Sequence, residues 1–153
     1  MSELVYRPDG SVRIATHGDP AAHGMQVVGW DRHTVGLDLG RHDPSALVVL
    51  RDRCLPELVP GRGWGQRLGK RERVCVHAET VQLDDFNDLA QWVIERLEQI
   101  PNWKLIIDAS GLGKPFSDIL LQAGVEHWSA AITAVSAVTK KGRTVLVAKN
   151  TLI

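Results

Sequence analysis

Two aspartates, Asp38 and Asp108, each stand at the end of an apolar stretch of the sequence. Asp38 lies in the run TVGLDL, just before Gly40, and Asp108 closes the run KLIID, which small residues follow. A carboxylate on a strand that is buried by helices is costly unless something compensates its charge. A divalent cation does so, and carboxylates from neighbouring strand ends can share Mg²⁺ or Mn²⁺. The alternative, open at this point, is that each aspartate caps a loop or the next helix.

The segments around Asp38 predict a strand, a tight turn and a second strand, over residues 34–39 and 45–50. A long loop rich in Gly and Pro follows. Residues 72–80 then alternate through Val74, Val76 and Ala78, which predicts a half-buried third strand. Short connections of this kind favour three antiparallel strands in a row.

The second half of the sequence predicts two helices between further strands. Residues 84–100 carry one apolar stripe at spacings of three and four, and residues 115–123 carry another. The strand predicted at residues 104–108 is reached through the first helix, and such a crossover implies a parallel neighbour. Residues 125–135 predict a fifth strand and residues 144–147 a sixth, on a ribbon that turns at residues 140–142. The expected fold is α/β, with a central mixed sheet of about five strands flanked by helices.

Composition indicates one compact soluble domain, with 153 residues of which 44% are hydrophobic and 24% charged. Residues 1–33 show no sustained period and are expected to form an N-terminal arm or hairpin. Neither a membrane span nor a leader peptide is indicated, so we expect a cytoplasmic protein without a membrane partner. Cys54 and Cys75 have no CxxC or Cys/His grouping, which leaves a disulfide framework or zinc site unsupported.

Three segments together resemble the nuclease domain of phage large terminase subunits, a family with an RNase H-like fold. They are VGLDLGRHDPSALVVL, LIIDASGLGKPFSDILLQAG and VAKNTLI. The family carries a GxDxG strand, a DPSA or DPTA turn, and a strand of the form IxDxxGxGxPxxDxL. The resemblance implies an RNase H-like nuclease-type domain over residues 34–153. It further implies a metal-dependent DNA endonuclease that cuts DNA during genome packaging, in the cytoplasm of a bacterial host.

The resemblance also implies roles for particular residues. Asp38 and Asp108 match the family's first two catalytic, metal-binding aspartates, which would hold two ions of Mg²⁺ or Mn²⁺. Asp43 matches a supporting acid in the turn, although an aspartate before proline is also an ordinary turn residue. Double-stranded DNA is the implied partner, and other terminase components or the portal are further candidates.

The family's third catalytic acid lies on a helix after the last of these motifs. The sequence stops at Ile153, so the expected fold lacks that C-terminal helix, and the chain is expected to be a fragment, a prophage remnant or a domain with impaired activity. Glu79, Asp43 or a partner subunit are the open alternatives for a third ligand. The GxxxxGK[ST] loop of a packaging ATPase does not occur in the sequence.

Charge is unevenly distributed, although the formal net charge is zero. If the ligand is DNA, the basic loop at residues 51–73 and the basic turn near residue 141 are expected to flank the metal site and hold phosphates. An equally open interpretation is a solvated hairpin with scattered charge. The candidate DNA-binding residues are Arg62, Arg67, Lys70, Lys140, Lys141 and Arg143.

Three functions are compatible with these observations. The first is a metal-dependent endonuclease of the terminase type. The second is a catalytically impaired terminase-like fragment that serves as a DNA- or protein-binding module. The third, a nucleotide-binding domain of the actin and sugar-kinase type, is the weakest, because such proteins need a second half of similar size.

Overall fold

The computed structural model of the protein describes residues 3–15, 26–40, 42–61, 65–108, 112–133, 139–142 and 144–148. Within these ranges the chain forms eleven strands and two helices. In chain order they are β1 (Leu4–Tyr6), β2 (Ser11–Ile14), β3 (Gly29–Asp38), β4 (Ser45–Cys54), β5 (Pro56–Leu58), β6 (Gln66–Leu68), β7 (Glu72–Val81), α1 (Phe86–Leu97), β8 (Trp103–Asp108), α2 (Gly113–Gln122), β9 (Trp128–Thr133), β10 (Thr139–Lys141) and β11 (Thr144–Ala148).

Strand β3 lies at the centre of one large mixed sheet. It pairs with β4 in the antiparallel sense on one side and with β8 in the parallel sense on the other. Beyond β4 the sheet continues with antiparallel β7, and beyond β8 it continues with parallel β9 and β11 and then with antiparallel β10. The order across the sheet is therefore β7-β4-β3-β8-β9-β11-β10. The prediction of a mixed α/β fold, with three antiparallel strands followed by a crossover to a parallel one, is confirmed.

Both helices pack on the same side of this sheet, which we call the helix face. Alternate residues of the three central strands point to it and are almost completely buried, and α1 and α2 bury their own apolar stripes against them. This core contains Val35, Leu37, Leu47, Val49, Leu89, Val93, Leu97, Leu105, Ile107, Phe116 and Leu120.

The opposite side of the sheet, which we call the open face, carries the other alternate residues of β3, β4, β7 and β8. No described helix covers it. Three of its apolar side chains remain exposed to solvent, by 36% at Val48, 48% at Leu50 and 36% at Ile106. The face is defined by Arg32, Gly36, Asp38, Val48, Leu50, Asp52, Arg73, Lys104, Ile106 and Asp108.

Helix α1 begins where the sequence supplies a cap. The Asp85 carboxylate accepts hydrogen bonds from the backbone N–H groups of Asn87 and Asp88, at 2.7 and 3.1 Å, which satisfies two of the free donors of the first turn. Gly124, at a φ of 81°, follows α2 and reverses the chain towards β9. The two helices therefore occupy the segments predicted for them, and none of the described helices is long and apolar enough to cross a membrane.

The sheet is larger than the sequence predicted, chiefly around β3 and β4. β3 begins at Gly29 rather than at residue 34, and β4 continues to Cys54 rather than ending at residue 50. The hairpin of β1 and β2 lies in the segment expected as an arm or hairpin, and it joins the sheet through β3 with Val12 and Ile14 completely or almost completely buried. The loop expected at residues 51–73 contains the separate β5–β6 hairpin.

Strand β7 shows one prediction to be wrong. Val74 and Val76 are 54% and 49% exposed, and Ala78 is also exposed, although these residues were expected to form its buried side. β7 is at the edge of the sheet, and its register shifts by one residue opposite the Val49–Leu50 step of β4. Only its last part approaches α1, so Glu79 and Val81 are the half-buried positions.

Candidate functional site

Asp38 and Asp108 occupy adjacent positions on two hydrogen-bonded parallel strands. In the pairing of β3 with β8, Leu37 lies opposite Ile107, so the next residue on each strand is one of the two aspartates. Neighbouring strands lie about 4.8 Å apart. Because Leu37 and Ile107 point to the helix face, alternation directs both carboxylates to the open face.

The two carboxylates differ in their surroundings. Asp38 is exposed, and within the described part of the chain it has no hydrogen-bond or ion-pair partner, whereas Asp108 is half-buried and does interact with other groups. Like charges at adjacent cross-strand positions repel. A cation bound by both would relieve this repulsion, and carboxylate oxygens are the ligands that Mg²⁺ and Mn²⁺ prefer. The pair therefore has the donor chemistry that a divalent ion requires, on two neighbouring strand ends.

The turn that follows Asp38 is tightly closed. The Gly40 N–H donates to the hydroxyl of buried Ser45 at 3.1 Å. A Cβ atom on Gly40 would collide with the backbone carbonyl of Asp43, so no larger residue fits there without movement of the turn. Asp43 itself is exposed in this turn, five residues after Asp38 in the sequence. The structure thus places the proposed supporting acid at the same end of the sheet as the pair.

The residues described contain no group of three or more His, Cys, Asp or Glu side chains that could hold a metal ion. Glu79, one of the open alternatives for a third ligand, is opposite Leu47 and points to the helix face. Its carboxylate accepts hydrogen bonds from Arg96 at 2.9 and 2.8 Å and pairs with His77 at 2.9 Å. These contacts, Arg96 first, lower the pKa of Glu79 from 4.5 to about 2. Glu79 is therefore a structural ion-pair partner and lies on the wrong face to join Asp38.

A cleft of about 430 Å³ lies beside this ion-pair network. Its walls include His33, His77, Glu79, Arg96 and Pro101. His33 is held there by a contact between its Nδ1 atom and the Pro101 carbonyl oxygen at 2.8 Å. The cleft opens on the helix side of the sheet, so it is separated from Asp38 and Asp108 by the sheet itself.

The predicted DNA-binding residues are spread over the molecule. Arg67 forms an ion pair with Glu57 at 2.7 Å in the β5–β6 hairpin, and Lys70 is exposed just after it. This hairpin follows the Cys54 end of β4, whereas Asp38 is opposite Ala46 at the other end of that strand. Arg67 and Lys70 therefore lie near the end of β4 that is away from the aspartates, and DNA binding by this loop stays a prediction.

The ribbon of β10 and β11, unlike the β5–β6 hairpin, lies in the same cross-strand row as Asp108. Through the successive pairings of β8, β9, β11 and β10, the backbone of Lys140 occupies the same cross-strand row as Asp108, three strands away. At about 4.8 Å per strand this is roughly 14 Å. Lys141 follows it on the same strand, while Arg62 and Arg143 lie outside the described residues.

A cluster of basic and aromatic residues at the other end of the open face was not among the predicted site residues. Arg32, Asp52 and Arg73 form one cross-strand row of β3, β4 and β7. The guanidinium groups of Arg32 and Arg71 lie 5.3 and 5.4 Å from the ring centre of Trp30. The sequence places Arg71 and Arg73 in a basic segment. It does not predict that they lie beside Arg32, because that depends on the register of β3, β4 and β7.

Ser117 and His127 form a second polar pair that the sequence did not single out. The Ser117 hydroxyl lies against His127 Nε2, and Nδ1 of the same ring is 3.0 Å from the Val125 carbonyl oxygen. If Nδ1–H donates to that carbonyl, Nε2 is unprotonated and accepts a hydrogen bond from the Ser117 hydroxyl. His127 is only 4% exposed, so the pair joins α2 to the start of β9 within the protein interior.

The sequence matches no protein-family model and no curated protein, and the structure matches no solved structure. Function must accordingly be inferred from the motifs of the sequence and the geometry of the described residues.

Proposed function

We propose that this protein is a metal-dependent DNA endonuclease domain of the phage large-terminase type, with an RNase H-like fold. The observation that carries the proposal is the adjacent placement of Asp38 and Asp108 at the ends of parallel strands β3 and β8. Three antiparallel strands followed by a helical crossover to a parallel strand are what the resemblance leads one to expect. Double-stranded DNA is the proposed substrate, in the cytoplasm of a bacterial host.

Asp38 and Asp108 would hold Mg²⁺ or Mn²⁺ on the open face. Bound there, the metal would supply an activated water and neutralise negative charge at the scissile phosphate. The chain itself contributes access and position. Asp38 is exposed. Two residues before it, a Cβ atom added to Gly36 would have no atom of the described residues within 4 Å, apart from its chain neighbours. The closed turn between Gly40 and Ser45 fixes the end of β3, and therefore the backbone that carries Asp38.

Plasmid nicking in Mn²⁺ tests the proposal. We expect Asp38→Asn and Asp108→Asn each to reduce nicking more than about 100-fold, because even residues that only support metal ligands typically contribute 10- to 100-fold. Asp118→Asn is the matched control, since Asp118 is exposed on α2, on the opposite side of the sheet. Equal nicking by wild type and Asp38→Asn, or no nicking by wild type at high enzyme concentration, would remove the catalytic proposal.

A second candidate is a DNA-binding module without catalytic activity. The lack of a third acidic ligand among the described residues favours it. This candidate predicts that DNA binding is salt-sensitive and is retained in Asp38→Asn, while no nicking occurs in any divalent metal. The same set of variants therefore separates the two functions.

A further inference from the structure

The open face is chemically different at its two ends. At the carboxyl end of β3 and β8 it presents the carboxylates of Asp38 and Asp108. At the amino end of β3, the described residues of β3, β4 and β8 and of the segment that begins β7 present four cations against one carboxylate. The cations are Arg32, Arg71, Arg73 and Lys104, and the carboxylate is Asp52.

The cationic end is ordered by its own contacts. Arg71 donates two hydrogen bonds to Asp52, at 2.9 and 2.6 Å, and Trp30 Nε1 donates a third to the same carboxylate at 3.1 Å. Arg32 lies 3.7 Å from Asp52 with half of its side chain exposed. Arg73 is exposed and has no ion-pair partner in the described part of the chain. Asp52 thus positions Arg71 and Arg32, and the cluster keeps an excess of positive charge.

The middle of the open face is apolar, and at Gly36 no side chain projects from it. Val48, Leu50 and Ile106 expose between 36% and 48% of their surface there. Gly36 lies between them in the central strand, and the space above it is open. Glycine weakens a strand interior, and in such a place it often marks close approach of another backbone or a ligand. This surface fits a partner that places an anionic group at the cationic end and lies close to the sheet at Gly36.

From this arrangement we infer that duplex DNA lies across the open face, with one phosphate group held by Arg32 and Arg73 while another is presented at Asp38 and Asp108. This inference rests on the proposed function for its ligand. Arg32 and Asp38 are six residues apart on β3, which corresponds to roughly 20 Å at about 3.3 Å per residue. About six base steps along one DNA strand span this distance. They make more than half a turn at about 10 base pairs per turn, so the two phosphates that face the sheet belong to opposite strands across a groove. The apolar middle then contacts the sugars that border this groove.

The inference is tested by DNA binding in EDTA, where no cleavage occurs, using a short fluorescent duplex and the full chain. We expect Arg32→Gln and Arg73→Gln each to weaken binding and to reduce the slope of log affinity against log salt by about one. Arg53→Gln is the matched control: Arg53 lies on β4 next to Asp52 but is directed to the other face, where it pairs with Glu72 at 2.8 Å. This control should leave affinity and slope unchanged.

A second pair of variants probes the middle of the face. Leu50→Glu places a negative charge on the open face, and Leu121→Glu places one on an equally exposed position of α2, the two leucines being 48% and 51% exposed. We expect Leu50→Glu to weaken binding roughly tenfold or more, because it sets a like charge against the phosphates. Leu121→Glu should bind as wild type does.

The two proposals fail in different ways. If Asp38→Asn loses nicking but Arg32→Gln, Arg73→Gln and Leu50→Glu bind DNA as tightly as wild type, the nuclease stands and the DNA path across the open face is overturned. If these three variants bind weakly while wild type never nicks DNA, the path stands and the nuclease fails. If wild type sediments as a dimer that Leu50→Glu dissociates without changing DNA binding, the face joins two copies of the chain and the inference is overturned.

Discussion

Asp38 and Glu79 are carboxylates of the same sheet that lie on opposite faces. The alternation in TVGLDL made the side of Asp38 predictable, since Leu37 and Val35 had to point to the core. Asp108 followed the same rule in KLIID. The side of Glu79 was not predictable, because β7 is an edge strand with a register shift and its valines are solvent-exposed. Alternation identifies faces only where one face is buried.

The ion pair of Glu79 gives a prediction at the residue scale. Its pKa is lowered to about 2 by Arg96 and then His77, so the pair stabilises the folded protein above the ordinary carboxyl pKa of 4.5. This stabilisation is lost as the pH falls from there towards 2. We expect Glu79→Gln to reduce the free energy of unfolding at neutral pH by about 1 kcal/mol, since the pair is partly exposed. Near the lower limit the two proteins should become equally stable.

Urea unfolding of wild type and Glu79→Gln across this pH range measures the difference. Glu57→Gln is the control, because Glu57 is paired with Arg67 in an exposed hairpin where both side chains are about half exposed, at 49% and 58%. At neutral pH it should reduce the free energy of unfolding less than Glu79→Gln does. A difference between wild type and Glu79→Gln that is constant with pH would contradict the assignment of the ion pair.

At the scale of elements, the lengths of β3 and β4 show what sequence patterns miss. Residues 51–53 are Arg, Asp and Arg, a pattern that predicts the beginning of a polar loop. In the sheet they are satisfied across strands, Arg51 by Asp31 at 2.6 Å and Arg53 by Glu72 at 2.8 Å. Such partners are distant in sequence, so the extended β4 and the resulting place of the β5–β6 hairpin follow from tertiary contacts rather than from local pattern.

Two glycines of the β3 segment give the prediction for this element. A Cβ atom at Gly40 would collide with the Asp43 carbonyl, whereas one at Gly36 would meet no atom of the described part of the chain within 4 Å. We expect Gly40→Ala to reduce the free energy of unfolding by about 2 kcal/mol, which is typical of a forced backbone shift. Gly36→Ala should be neutral or stabilising by up to about 1 kcal/mol, because alanine loses less backbone entropy in a strand.

Thermal unfolding of the two alanine variants tests this pair, and each variant serves as the control for the other. If both lower the Tm equally, the close approach of Asp43 to Gly40 does not determine the stability of the turn. If Gly40→Ala also loses metal binding while Gly36→Ala keeps it, the turn contributes to the position of Asp38.

At the scale of the whole molecule, the net charge is zero, but positive and negative groups lie at opposite ends of the open face. The sequence shows basic and acidic segments, and it predicts that the basic loop at residues 51–73 binds DNA beside the aspartates. Most of the described part of this loop lies at the end of β4 away from them. From the end of that same segment, folding brings Arg71 and Arg73 to Arg32, which is distant in sequence. The acidic pair could be predicted from local pattern, and its cationic counterpart could not, because only the register of three strands assembles it.

The stability of the whole molecule should report metal binding independently of any reaction. A ligand that binds only the folded protein stabilises it by about 2.7 kcal/mol at one hundred times its dissociation constant. For a chain of this size that corresponds to a rise in Tm of roughly 5 to 10 °C. We expect saturating Mn²⁺ to produce such a rise in wild type and in Asp118→Asn, but not in Asp38→Asn or Asp108→Asn. A rise that persists in both of these variants would place the metal elsewhere, and no rise in wild type would mean that Asp38 and Asp108 do not retain the ion. A rise in wild type without nicking would leave a protein that binds metal at Asp38 and Asp108 but lacks turnover, which is the behaviour expected of the non-catalytic DNA-binding module.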